Sequence, residues 1–277
     1  MTGVATLPGW HPHLDAWFLL GALAFIYLRA VRRQAAFAPD GPGTTRGQKF
    51  RFLSGVGVLL IGSDWPIHDL AEHFLYSVHM TQHLLFTLVA GLLLVAGTPA
   101  WMAHKILAPR WLRSVIRVMA RPVPALIQAN VILVLSHWPL VVNATVRNHP
   151  LHFVAHAVLL VSAILMWLPV ASPIPEVPRL KPPLQMLYLF GQTILPTVPA
   201  SFLTFGTTPL YKVYTEFPRL WDVSVLSDQQ MAGLIMKVGG GFYLWIVITV
   251  VFFKWCVRED QVEARLVYEE IEHELLT

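Results

Sequence analysis

Seven apolar runs dominate the chain, at residues 14–31, 50–65, 79–99, 123–142, 152–170, 183–205 and 230–257. Most match the roughly 20 residues that carry a helix across a hydrocarbon core about 30 Å thick. Lipid offers no partner to backbone N–H and C=O groups, so such runs must satisfy their hydrogen bonds internally, as helices. The expected fold is all-α: a polytopic membrane helix bundle of seven transmembrane helices at residues 1–257, with a cytoplasmic tail helix at 258–277. The second run is short and interrupted by Gly55, Gly57 and Gly62.

Charge sets the expected orientation. Sixteen of the 20 Lys and Arg residues fall before the second, fourth and sixth runs or after the seventh, against Arg147, Lys212 and Arg219 on the alternate side. Basic residues near span ends stay cytoplasmic, which places the N-terminus outside and the C-terminus inside. Only 13% of the chain is charged and mean hydropathy is +0.57. A soluble protein carries about a quarter charged residues, so a soluble enzyme and a disordered tail protein are excluded. The single Cys256 excludes an internal disulfide or CxxC chemistry. With the basic residues used for orientation, the high pI gives no reason to expect a nucleic-acid partner. No Lys or Arg precedes the first apolar run, so no cleavable signal peptide is expected.

The same topology sorts the 12 histidines. His11, His13, His68, His73, His79, His83, His137, His149, His152 and His156 fall at or near the outer face, and only His104 and His273 on the cytoplasmic side. Two pairs, His79/His83 and His152/His156, have i, i+4 spacing at the outer ends of the third and fifth runs. Residues four apart share one helix face, so each pair can offer two nitrogens to one ion. Facing pairs would form a four-imidazole cage, with His149 able to join. A thioether beside imidazole, as Met80 stands beside His79, suits Cu(I), whereas imidazole alone also suits Zn(II) or Cu(II). Asp64, His68, His73, Asp69, Glu72, His137, Asp228 and Gln230 are candidate partners that orient these imidazoles. Lys237, an ionisable group well inside the seventh run, is a candidate intramembrane functional residue. Gly239, Gly240 and Gly241 read as a packing or bending element, and Pro196 with Pro199 should kink the sixth run.

Four stretches carry a family resemblance: DWPIHDLAEHFLYSVHMTQHLLFTLVAGLLLVAGTP at 64–99, HWPLVVNATVRNHPLHFVAH at 137–156, LTFGTTPLYKVY at 203–214 and DQQMAGLIMKVGGGFY at 228–243. Together they resemble the multi-spanning CtaG family of cytochrome c oxidase assembly factors, associated with caa-type oxidases. The resemblance implies a seven-span factor of the bacterial inner membrane, non-enzymatic, serving copper insertion or stabilisation. Its partners would be cytochrome c oxidase subunits, a copper donor protein and membrane lipids. It carries over to His79, Met80, His83, His152, His156, and Asp228 with Gln230. Leu84 stands where the family commonly has a second methionine, and AGLLLVAGTP lacks a double proline often found there. Both departures count against a methionine-rich copper site and leave the histidines intact. Two other functions stay open from the residues: a b-type haem membrane oxidoreductase with histidine ligands from the third and fifth runs, and a copper or proton transporter using Lys237 and the prolines.

Overall fold

The computed structural model describes residues 9–10, 12–38 and 41–276, with side chains through Val262 and at Arg265. His11 lies outside the described residues, as does the side chain of His273. Among the described residues the regular structure is helical, without strands, and loops join the helices.

Helix α1 is Leu14–Phe37, and α2 is Arg46–Gly62. A capping box opens α2: Gln48 N donates to Thr45 Oγ1 at 3.1 Å and Thr45 N donates to Gln48 Oε1 at 2.9 Å, satisfying two of the N–H groups a helix start leaves unpaired. Short α3 (Ile67–His73) leads to α4 (Tyr76–Leu84), which continues through a π turn at Leu85–Ala90 into α5 (Gly91–Gly97). Then come α6 (Ala100–Ile106), α7 (Arg110–Met119), α8 (Pro122–Ser136), α9 (Pro139–Val146) and α10 (His149–Ala171). The chain finishes with α11 (Pro182–Ile194), α12 (Thr197–Thr204), α13 (Val225–Leu234), a π turn at Ile235–Gly239, and α14 (Gly240–Leu276).

Five helical segments are long and apolar enough to cross a membrane: Leu14–Phe37, Tyr76–Gly97, His149–Ala171, Pro182–Thr204 and Val225–Val262. A sixth follows if α7 and α8, bent by 86°, are one broken span. The expected second crossing is α2, whose 17 residues reach only about 25 Å at 1.5 Å per residue.

Proline accounts for two departures from uninterrupted runs. The fourth run breaks at His137 because Pro139 disfavours helical geometry at Trp138, which is extended at φ −68°, ψ 132°. The sixth breaks between Ile194 and Thr197, beside Pro196, as its sequence predicts. By contrast, no Gly or Pro separates residues 257 and 276, and α14 continues unbroken through the expected tail.

Close packing between α2 and α5 fixes one wall of the bundle. A Cβ on Gly97 would stand 2.4 Å from Phe52 N, and one on Gly62 would stand 2.4 Å from the Phe86 ring. Only glycine permits that approach. Tyr27 of α1 stacks on Phe52 at 3.8 Å between ring centroids, and its hydroxyl donates to Gly97 O at 3.0 Å. On the opposite side, Trp167 of α10 donates to Thr87 O at 2.9 Å. Thr87 lies in the π turn, where the shifted backbone pairing gives neighbouring helices access to carbonyls. Segment Tyr76–Gly97 is thus tied to α2 on one side and α10 on the other. Outward-facing Phe18, Phe25 and Ile26 on α1 are exposed, an apolar surface suited to lipid.

A candidate metal centre of buried imidazoles

The N-terminus of α4 is positioned by a carboxylate from far along the chain. Leu75 precedes α4 and has no side-chain acceptor to cap it. Buried Asp228 instead accepts from Tyr76 N at 2.7 Å and Ser77 N at 3.0 Å. An acid at a helix start also complements the helix dipole. Further along α4, Gln82 donates through Nε2 to Gly62 O at 2.7 Å, locking α4 to the end of α2. These contacts fix the rotation of the helix that carries His79 and His83.

The second pair rides on α10. Asn148 caps that helix, its side chain accepting from Leu151 N at 3.0 Å, while Pro150 occupies the first turn, where a missing N–H costs least. The two pairs face one another. His79 and His83 have ring centroids 4.2 Å apart, and His152 and His156 are 4.3 Å apart. Across the interface, His79 stands 5.4 Å from His152 and 5.6 Å from His156, and His83 stands 4.9 Å from His156. Within this group His83 Nε2 and His156 Nε2 approach to 3.1 Å, with one ring donating to the other.

One ligand nitrogen from each of His79, His83 and His156 lies within 4.8 Å of the others, a group that could hold a metal ion. His79 is buried, and its Nδ1 has no hydrogen-bond partner. Leaving a buried polar nitrogen unsatisfied costs on the order of 1–3 kcal/mol, a cost a bound ion would remove. A cavity of about 20 Å³, bordered by His79, His83, His152 and His156, adjoins them. About 10–15 Å³ holds one water, so the space matches a single small occupant. Three imidazole nitrogens with room for a further ligand are a donor set that copper and zinc accept.

The other expected site residues divide among several places. His152 borders the cavity, but its Nε2 lies 3.5 Å from Glu72 Oε1. His149 is at the rim, 75% exposed, with Nδ1 3.5 Å from Glu72 Oε2. His73 stands 6.4 Å from the His149 ring. His137 caps the end of α8, its ring 6.0 Å from His83 and its Nδ1 2.7 Å from Leu133 O. Tyr211 donates to His137 O at 2.8 Å. Burial pushes the Tyr211 phenol up to about 12, so it remains a donor at neutral pH. Met80, adjacent to His79 in sequence, is buried in an apolar cluster with Tyr76, Ala200, Tyr211 and Met236. Asp228 acts on the site through the α4 backbone, and Gln230 donates to Gly206 O at 3.0 Å. Lys237 is exposed on its helix, its Nζ 5.9 Å from the Phe205 ring centroid, and borders a separate cavity of about 80 Å³.

Away from the buried imidazoles, Asp64 accepts from Trp17 Nε1 at 2.8 Å and Trp65 N at 2.8 Å, and lies 3.1 Å from His13 Nδ1. Desolvation raises the Asp64 pKa, but those hydrogen bonds and the His13 charge outweigh it and hold the carboxyl below its usual range. His68 packs edge-on to His13 at 4.8 Å and reaches Glu72 Oε1 at 3.5 Å. Sequence spacing gave no specific role to Gln82 or Gln229. Gln229 accepts from Leu210 N and Tyr211 N and donates to Tyr211 O, holding the loop behind α4. Such long-range side-chain-to-backbone contacts leave no periodic signal.

An all-helical, lipid-compatible bundle enclosing a compact imidazole group defines a polytopic membrane protein with a potential metal centre. The cytochrome c oxidase caa3 assembly factor family matches residues 8–258, and the chain belongs to that family. Neither a curated protein nor a solved structure matches it.

Proposed function

We propose that this oxidase assembly factor binds copper through His79, His83 and His156 and holds it for the assembling oxidase. The convergence of three ligand nitrogens within 4.8 Å, in a chain of an oxidase assembly family, carries the reading. Asp228 and Gln82 fix α4, and Asn148 opens α10, so the two helices present the imidazoles with little freedom. Such preorganisation favours binding because less ordering remains to be done when the ion arrives. The all-imidazole donor set accepts copper and zinc alike, and the oxidase context favours copper as the cargo; Met80 enters the coordination sphere only if its side chain leaves the apolar cluster.

In this reading the chain crosses the bacterial inner membrane seven times, with α2 as the short second crossing, N-terminus outside and residues 258–276 cytoplasmic. The charge distribution supports that orientation. Partners are oxidase subunits and a copper donor protein, and the role is non-catalytic. In cells dependent on a caa-type oxidase, the double variant His79→Ala/His83→Ala should reach the membrane at normal levels and lower oxidase activity. Unchanged oxidase activity with that variant as the sole copy would refute the site.

A further inference from the structure

Glu72 stands within reach of three imidazoles, and its geometry differs from that of an ordinary hydrogen-bonded carboxylate. Its Oε1 is 3.5 Å from both His68 Nε2 and His152 Nε2, and its Oε2 is 3.5 Å from His149 Nδ1. Hydrogen bonds of this type cluster near 2.9 Å. His152 is 6% exposed, yet its Nε2 has no hydrogen-bond partner. Two ligands holding one first-row ion through bonds of about 2.1 Å at a tetrahedral angle stand about 3.4 Å apart. Each Glu72–imidazole pair has that spacing.

These groups line a cavity of about 430 Å³ that includes exposed His149, Glu72 and His152 and extends to His156 of the buried three. The cavity therefore runs from the rim as far as His156 and is also lined by Asp15 and His68.

We propose that Glu72 is the capture ligand of a second, outer cation site, which takes a divalent first-row cation with His149 at the rim and transfers it by way of His152 to His79, His83 and His156. This inference rests on the three-histidine reading above. Carboxylate with imidazole is a borderline donor set, suited to Zn(II), Co(II) or Cu(II). The outer imidazoles meet only through Glu72, whereas one nitrogen from each of the inner three lies within 4.8 Å of the others, so the inner group can close on one ion and affinity increases inward. The final transfer passes from His152 to His156, one turn apart on α10 with rings 4.3 Å apart, and requires no backbone rearrangement. The carboxylate also raises the local concentration of cations at the mouth.

The test uses Co(II) alone as probe, added in limiting amount to metal-free full-length protein in micelles, with the visible absorption of tetrahedral Co(II) followed in time. Glu72→Gln and His149→Ala should reach the wild-type final absorbance, with Glu72→Gln loading more slowly by on the order of tenfold. Thermal melting establishes that both variants are folded. Wild-type loading rates in Glu72→Gln would overturn the capture role. Loss of the final absorbance in folded Glu72→Gln would also overturn it, because Glu72 would then belong to the inner site. Absence of the Co(II) spectrum from wild type would overturn the three-histidine reading itself, and with it this one.

Discussion

A single carboxylate, Asp228, connects two parts of the chain 152 positions apart through Tyr76 N. Removing it leaves two buried or partly buried donors without their acceptor, at a cost of about 1–3 kcal/mol. Asp228→Ala should therefore lower the melting temperature in micelles, and Asp228→Asn, which keeps one acceptor oxygen, should lower it less. Equal melting of Asp228→Ala and wild type would contradict the capping role. His68 makes a different prediction. Burial pushes its pKa below the usual histidine range, aided by His13 and opposed by Glu72, Asp69 and Asp15. The unfolded chain then takes up this proton near pH 6.5, before the folded one does. The neutral ring's full contribution to stability is present above about pH 6.5 and is lost as pH falls through the lower folded value. Melting should occur at lower temperature at pH 5.5 than at 7.5, and the difference should shrink in His68→Gln; an undiminished difference would exclude His68 as a contributor. At this scale the two i, i+4 histidine pairs were legible because helical spacing alone puts each pair on one face. From the residues alone the partners Glu72 and Asp228 were legible only as acidic neighbours, with Asp228 singled out further by the family resemblance, because nothing local specifies which imidazole or helix end they meet.

Among the elements, the α2–α5 contact depends on the absence of side chains. Gly97→Ala would bring Cβ against the Phe52 backbone, which has no rotamer through which to yield. Overpacking of this kind costs about 1–3 kcal/mol, so the variant should melt earlier or be made at lower yield. Wild-type stability would show that the helices separate without penalty. Apolar length located most of the membrane-capable helices, since the hydrocarbon thickness fixes how many residues a crossing needs. It did not show the two π turns at Leu85–Ala90 and Ile235–Gly239, because a one-residue shift in backbone pairing leaves composition unchanged. Pro139 did carry the signal for the break after α8, but an unbroken apolar average concealed it. Met80 shows a related limit: adjacency to His79 in sequence means about 100° of rotation around a helix, which turned its side chain into the apolar cluster.

At the scale of the whole molecule, the proposed orientation would put the histidine group near the outer side of the bundle. A fluorescent protein fused after Thr277 should fluoresce in the cytoplasm, and a periplasm-dependent phosphatase fused there should remain inactive. The opposite pair of results would invert the proposed orientation and place the histidines on the cytoplasmic side. The family match establishes oxidase assembly as the setting, while the imidazole group supplies the proposed chemistry. The most direct measurement of that chemistry is metal analysis of full-length protein purified without a polyhistidine tag after exposure to copper. After dialysis has removed copper from the weaker outer site, the account predicts about one tightly held copper per chain in wild type and its loss in folded His79→Ala/His83→Ala. Copper-free wild type, or full copper retention in the double variant, would contradict it.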